Sequence, residues 1–282
     1  MGIYSDILLT VDFDRTLTGP DSTIPERNLE AIRYFTENGG SFTLNTGRST
    51  TTLAEYLNTI PVNAPFLLYN GSAAYDRGTL LNTKTIDLPQ WETIQQIADL
   101  FPDMHVEVQG ERDHYLFRPD ASFMAFYKAL GWHYAILEAD TQTGPFLKFS
   151  LWGTVHKNAV SDMFSGTEEE LQRFAEAEAT IRRMFPDKVE VFRAAPRIID
   201  VHAKGVSKLR SARELQAQLG KKILVCIGDA ENDITMLDGA DYAFCPADGV
   251  VADRYETVCP CAEGAVADVI YKKIPEIVAN QP

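Results

Sequence analysis

Cysteine is scarce in this 282-residue chain, and its placement suits neither a metal centre nor a disulfide framework. There are four, Cys226, Cys245, Cys259 and Cys261, all in the last quarter and none in a C-x-x-C spacing. The common zinc patterns are thereby excluded, and structural roles are expected: Cys226 as a small side chain inside the apolar run from Ile223 to Ile227, Cys259 and Cys261 beside a proline in a loop. The five histidines, His105, His114, His133, His156 and His202, show no i, i+4 ligand spacing. Positive charge is also short, with 26 Lys and Arg against 40 Asp and Glu, a net charge of −14. Such a field repels nucleic acid and anionic membrane at long range, so neither is expected as a partner, and an anionic substrate would need local cations. No apolar run reaches the length of a membrane-spanning helix, and the N-terminus has neither the charged nor the apolar region of a signal peptide. A cytoplasmic location is expected.

What the chain does have is enough apolar residue, 45%, and enough length for two domains. An apolar run from Ile7 to Val11 reads as a buried strand. A helix opening near Pro25 carries Leu29, Ile32 and Phe35 inward and stops at Gly39-Gly40. A strand over 41–46, a helix over 50–57, a strand over 66–69 and a hairpin across Arg77-Gly78 follow. This βαβα start predicts a parallel sheet covered by helices. Between about 83 and 199 the pattern changes: helices over 91–101, 121–130 and 168–184 are interspersed with short strands over 105–108, 115–118, 146–152 and 189–192, an α+β layer with an antiparallel sheet. After residue 200 the α/β rhythm resumes with a helix over 206–219, a strand over 223–227 and helices near 234–237 and 265–278. The expected organisation is a Rossmann-like core of residues 1–82 and 200–282, with an inserted domain of residues 83–199.

Asp12-Phe13-Asp14 comes immediately after the first strand. Residues two apart on a strand point to one face, so the two carboxylates converge as the chain leaves the sheet. A hard divalent cation with oxygen ligands resolves their repulsion, after which one acid can attack and the other move protons. An acidic turn without chemistry satisfies the same residues. An EF-hand loop does not, since its closing Glu position is Thr23 and a strand precedes it. Partners elsewhere bear on the choice. Gly228-Asp229-Ala230-Glu231-Asn232-Asp233 repeats the arrangement after the apolar strand over 223–227. In an open α/β sheet ligands bind beyond the carboxyl ends of the strands, where the two acidic ends can meet. Thr46-Gly47-Arg48 closes the second strand with a hydroxyl and main-chain N–H groups fit for an anion. Lys208, after Gly205-Val206-Ser207, offers a cation.

Taken in order, Asp12-x-Asp14-x-Thr16, Thr46-Gly47-Arg48, Gly205-Val206-Ser207-Lys208 and Gly228-Asp229-x-x-Asn232-Asp233 resemble the four motifs of the haloacid dehalogenase superfamily of phosphohydrolases. The Cof-type subgroup is most similar, with Asn70-Gly71 after the third strand, Met236 after the fourth motif and Glu263-Gly264-Ala265-Val266 near the end. Arg15 departs from the subgroup's usual Gly, and Ala265 also replaces a common Gly. The resemblance implies that residues 83–199 are the large α/β cap that sets specificity.

The resemblance further implies a magnesium-dependent phosphatase for a small phosphorylated metabolite. Asp12 is then the nucleophile that forms an aspartyl phosphate, and Asp14 the general acid and base. Magnesium is held by Asp12, the main-chain carbonyl of Asp14, and Asp229. Thr46, Gly47, Lys208 and Asn232 hold phosphate, Asp233 supports from behind, and Arg48, Asn70 and Gly71 are candidates for the substrate side. A sugar phosphomutase and a non-catalytic metabolite-binding relative are the alternatives. In the cap, Arg112, Arg118, Lys148 and Arg193 are candidate contacts read more simply as surface charges, and Trp91, Phe123, Phe126, Tyr127 and Trp132 read as core.

Overall fold

The computed structural model describes residues 2–154 and 165–280, so His156 lies outside the described residues. In chain order the elements are β1 (Ile7–Val11), α1 (Glu26–Glu37), β2 (Ser41–Leu44), β3 (Phe66–Leu68), β4 (Ala73–Asp76), β5 (Thr79–Leu81), α2 (Gln90–Leu100), β6 (His105–Gln109), β7 (His114–Phe117), α3 (Ala121–Ala129), β8 (Ala135–Ile136), β9 (Lys148–Trp152), α4 (Glu168–Met184), β10 (Val189–Ala195) and β11 (Ile198–Ala203). Then come α5 (Lys208–Gln218), β12 (Ile223–Ile227), α6 (Ile234–Asp238), β13 (Tyr242–Pro246), β14 (Glu256–Val258), α7 (Ala265–Asp268) and α8 (Ile274–Ala279). The chain divides into two compact units, one of Met1–Arg48, Leu53–Leu81 and Ser207–Pro282, the other of Ser49–Thr52 and Asn82–Val206. The core is thus Rossmann-like, with a separate cap unit carried as an insertion. Among the described residues no helix is long and apolar enough to cross a membrane.

The first unit is built on a parallel sheet of order β14-β13-β12-β1-β2. Strands β1 and β12 are buried at every position, as strands with both faces covered must be. Register matters most for function. Val11 pairs with Ile227 on one side and Leu44 on the other, so three strands end level and Asp12, Gly228 and Asn45 leave the sheet along one edge. A parallel bridge from Asn45 to Leu67 attaches β3, which opens the antiparallel β3-β4-β5 meander. The expected hairpin is present, with Arg77 and Gly78 at φ 46° and 89°, the positive pair its tight turn needs.

The second unit holds a six-stranded sheet of order β10-β11-β9-β6-β7-β8, antiparallel except that β8 runs parallel to β7. Its two faces differ sharply. Val106, Val108, Phe149, Leu151, Ile199 and Val201 pack with residues of α2 and α4 into one apolar core. The alternate residues form a buried polar layer, in which Glu107, Ser150 and Asp200 are neighbours in register, as are Gln109, Lys148 and His202. Helix α4 starts on a capping box between Thr167 and Glu170, a sequence signature that accounts for its boundary.

Three expectations need correction, and two strands lie outside the expected elements. No helix forms over 50–57, where turns run instead: Ser49 and Thr52 exchange side-chain to main-chain bonds, the Ser49 amide to Thr52 Oγ1 at 3.0 Å and the Thr52 amide to Ser49 Oγ at 3.1 Å, and such hydroxyls compete with a helical ladder. The inserted unit does not stop at 199, because that boundary falls inside β11, which pairs with β10 and β9. Asp200 and His202 disguised this strand, since polar residues at alternate positions read as solvent-facing. In α1 the buried stripe is Asn28, Ala31, Ile32 and Phe35, which leaves Leu29 at its rim. Strands β13 and β14 have no counterpart among the expected elements; each is short, and β13 ends in Pro246.

Candidate active site

At the carboxyl edge of the core sheet, three buried acids face one another. Asp12, Asp229 and Asp233 each offer an oxygen within 4.8 Å of the others. Asp12 is still held in strand register, its amide donating to Ile227 O at 2.9 Å. The turn after it places Asp14 at φ −73°, ψ 127° and Arg15 at φ 58°. That left-handed conformation suits the glycine usual at this position in the subgroup the motifs resemble. Arg15 adopts it at a cost of about 1 kcal/mol. Asp229 follows β12, and its Oδ1 accepts from Thr16 Oγ1 at 3.1 Å, tying the fourth motif to the first.

Asp233 lies in the single helical turn of Glu231–Asp233. Its Oδ2 accepts from the amides of Asp229 and Ala230, both at 3.1 Å, and the side chain sits directly over Gly228. A Cβ on Gly228 would come within 2.5 Å of Asp233 Cγ, so only glycine allows this turn. The other oxygen, Oδ1, accepts from Lys208 Nζ at 2.7 Å, and the same ammonium donates to Asp12 Oδ1 at 2.5 Å. Lys208 is thus the cation inside the cluster, 1% exposed, while Lys204 pairs with Glu190 in the other unit. Ser207 fixes the start of α5 by accepting from the Arg210 amide at 3.1 Å.

Electrostatics follow from burial and crowding. Desolvation drives the Asp12 carboxyl well above the ordinary carboxylate range, opposed by Lys208 and reinforced by Asp233 and Asp229. Asp229 is pushed up to about 7 by burial and then by Asp233, with Thr16 and Lys208 pulling the other way. Burial opposes the charge on Lys208, but Asp12 and Asp233 outweigh it and raise its pKa. Three carboxylates around one ammonium leave the cluster short of positive charge.

Thr46 is buried at the end of β2, its amide bonded to Leu67 O and its hydroxyl accepting from the Arg48 amide at 3.1 Å. Arg48 forms a two-point pair with Asp14, Nε to Oδ2 at 2.9 Å and Nη2 to Oδ1 at 2.7 Å. Asn70 and Gly71, expected on the substrate side, are both buried next to the second and third motifs: Asn70 packs its amide over Gly47, and Gly71, at φ 94°, lets the chain pass so close to α5 that a Cβ would meet Ser207 O at 2.6 Å. Asn232 is half-buried beside Asp233.

A family model described as haloacid dehalogenase-like hydrolase matches residues 9–252. The chain belongs to this family. Among the relatives of this haloacid dehalogenase-like hydrolase, a putative phosphatase of Haemophilus influenzae is 24% identical, over 88% of this chain and 87% of its own. The 5-amino-6-(5-phospho-D-ribitylamino)uracil phosphatase of Bacillus subtilis is 22% identical, over 83% and 85%. The solved structure of a subclass IIB sugar phosphatase superposes with a TM-score of 0.74 at 20% identity, covering 96% of this chain and 99% of that one. The family model assigns the chain to the haloacid dehalogenase-like hydrolases, the superfamily its motifs resemble, and the relatives named here are called phosphatases.

One residue of the hydrolase's site escaped the sequence reading. Asn45 is fully buried at the end of β2, and its Nδ2 donates to the main-chain carbonyl of Lys208 at 2.8 Å. It therefore clasps the second motif to the third. Nothing in the sequence announces a bond to a carbonyl so far along the chain. Asn45→Ala is expected to lower stability by about 1–2 kcal/mol, the cost of a lost buried hydrogen bond. The check is the urea midpoint at unchanged slope, and an unshifted midpoint would show the clasp to be dispensable. In the cap, Lys148 proves buried rather than superficial, bonded to Asp200 at 3.0 Å, while Arg118 and Arg193 pair with Asp99 and Glu178 and Arg112 is exposed. Phe123, Phe126 and Tyr127 form a core cluster, with Trp132 packed against it, and Trp91 packs against the main cap core, as expected.

Proposed function

We propose that this hydrolase is a magnesium-dependent phosphatase for a small phosphorylated metabolite of sugar-phosphate type, acting through an aspartyl phosphate on Asp12. The observation that carries the reading is the Asp12–Lys208–Asp233 bridge, with Asp229 beside it, at the edge where three strands end. The names of two relatives, a sugar phosphatase and a phosphatase of a phosphoribityl compound, support a polyol phosphate monoester as substrate.

In the first half-reaction a carboxylate oxygen of Asp12 bonds to phosphorus as the bond from phosphorus to the ester oxygen breaks. Protonated Asp14 gives its proton to that oxygen, and the alcohol leaves. In the second, water attacks the phosphoryl group while Asp14 takes its proton, releasing phosphate and restoring Asp12. Lys208 holds a phosphoryl oxygen alongside Thr46 and the Gly47 amide, and Asp233 keeps the ammonium in place.

The donor set fits magnesium, since it consists of hard oxygens, buried and under-compensated in charge. Asp12, the Asp14 carbonyl and Asp229 would hold it. Asp233 has its oxygens committed to Lys208 and to two amides, and serves the lysine instead. When bound, the metal screens Asp12 from the phosphoryl oxygens, a repulsion of about 4 kcal/mol per charge pair at 4 Å and intermediate dielectric.

The test is a panel of phosphorylated metabolites assayed for free phosphate with and without magnesium. Chelated protein is expected to turn over at under roughly a hundredth of the full rate and to recover with magnesium. A saturating metal should also raise the melting temperature, since a ligand at a hundred times its dissociation constant stabilises by about 2.7 kcal/mol. Isomerised product without free phosphate would instead establish a phosphomutase, and metal-independent turnover would refute the metal assignment.

A further inference from the structure

The pairing of Arg48 with Asp14 reassigns a residue that its motif position had suggested for the substrate side. Both guanidinium contacts fall within the hydrogen-bond range, each to a different oxygen of the same carboxylate. We propose that Arg48 is the positioning residue of the acid–base group Asp14, holding that carboxyl toward the leaving alcohol. This rests on the reading of Asp14 as the proton carrier.

The two side chains differ in how firmly the fold holds them. Asp14 is 41% exposed at its side chain and is itself extended, immediately before the left-handed Arg15. Left alone in water, it would sample several rotamers. Arg48 is fixed at both ends. Its amide donates to Thr46 Oγ1, its carbonyl accepts from the Tyr69 amide at 3.0 Å, and its side chain is only 21% exposed. The guanidinium lies 4.7 Å from the centre of the Phe13 ring, which is fully buried and braced edge-on by Tyr56. Arg48 therefore ties the more exposed carboxyl of the first motif to the second motif.

Chemistry favours this role over a second acid. Arginine does not give up its proton, so it cannot compete with Asp14 as a donor. The fork occupies one acceptor direction on each oxygen, and a carboxyl has about four such directions. Asp14 can accordingly carry and pass a proton while it is held. A misplacement of about 1 Å at such a group is worth roughly a hundredfold in rate.

The rival role is a clamp on the phosphoryl group, and leaving-group dependence separates the two. p-Nitrophenolate departs as a stable anion and needs little help from an acid, whereas the alkoxide of glycerol 2-phosphate needs a proton. Alcohol release in the first turnover is measured with magnesium on the full chain, because dephosphorylation is common to both substrates. Asp14→Asn is the reference and should lose at least about a hundredfold more rate on the alkyl ester than on the nitrophenyl ester. Arg48→Gln should show the same bias, at least about tenfold, with half-saturating concentrations within about twofold of the parent. Arg48→Lys keeps the charge but not the fork, and should not restore the alkyl rate. Equal loss of rate on both esters, a rise in half-saturation alone, or full recovery by lysine would overturn the proposal. If Asp14→Asn shows the bias and Arg48→Gln does not, the Arg48 role falls and the acid assignment stands. If Asp14→Asn shows no bias, the acid assignment itself fails.

Discussion

Asp12→Asn is expected to fold normally and to lose phosphate release by at least roughly 10⁴-fold, the scale on which removal of a nucleophile acts. Asparagine keeps the volume and can still accept from Lys208, so the bridge at 2.5 Å has a successor. What it lacks is a charge able to attack phosphorus. Folding should not suffer, because Asp233 still pairs with Lys208, and burial and the neighbouring acids disfavour the ionised form of Asp12. The measurement pairs turnover with thermal melting. A melting temperature no lower than the parent's, together with abolished turnover, assigns Asp12 to chemistry rather than structure. Turnover above a hundredth of the parent's would refute the nucleophile.

Lys208→Met carries the second large effect, and here both function and stability should fall. The ammonium is buried between Asp12 and Asp233, and removing it leaves two carboxylates facing each other without compensation. Breaking a buried ion pair at one end costs about 3–5 kcal/mol. For a chain of this size that corresponds to a drop in melting temperature on the order of 10 °C. Loss of one charge-stabilising donor to the transferring phosphoryl group should lower turnover by about 10²–10³-fold. Adding Asp233→Asn to Lys208→Met tests the cause: the double variant is expected to regain part of the lost stability, since it no longer buries the second orphaned charge, while turnover stays low. A double variant less stable than Lys208→Met would show that Asp233 stabilises mainly through its amide contacts with Asp229 and Ala230.

Much of this site was legible because its members sit at strand ends and helix starts. Apolar runs buried on both faces gave β1 and β12 their boundaries, and with them the positions of Asp12 and Asp229. The reading failed where polar residues are buried. Asp200 and His202 point into the polar layer of the cap sheet, and their polarity makes the strand read as the start of the core. Lys148 reads as a surface charge for the same reason, although Asp200 on the neighbouring strand satisfies it. Buried ionic pairs cannot be read from one member, since the partner that makes burial tolerable lies elsewhere in the chain.

By itself the sequence determined the order of motifs, the parallel sheet that aligns them and the kinds of group available: carboxylates, a lysine, a threonine and an arginine. Those follow from local rules, apolar periodicity and turn chemistry, that act within a few residues. Tertiary structure decided who is bonded to whom. It joined Lys208 to Asp12 and Asp233, bound Asn45 to the start of α5, packed Asn70 on Gly47 and Gly71 on Ser207, and gave Arg48 to Asp14. Each of these contacts depends on strand register and on how closely backbones approach, and neither is written in any short stretch of chain.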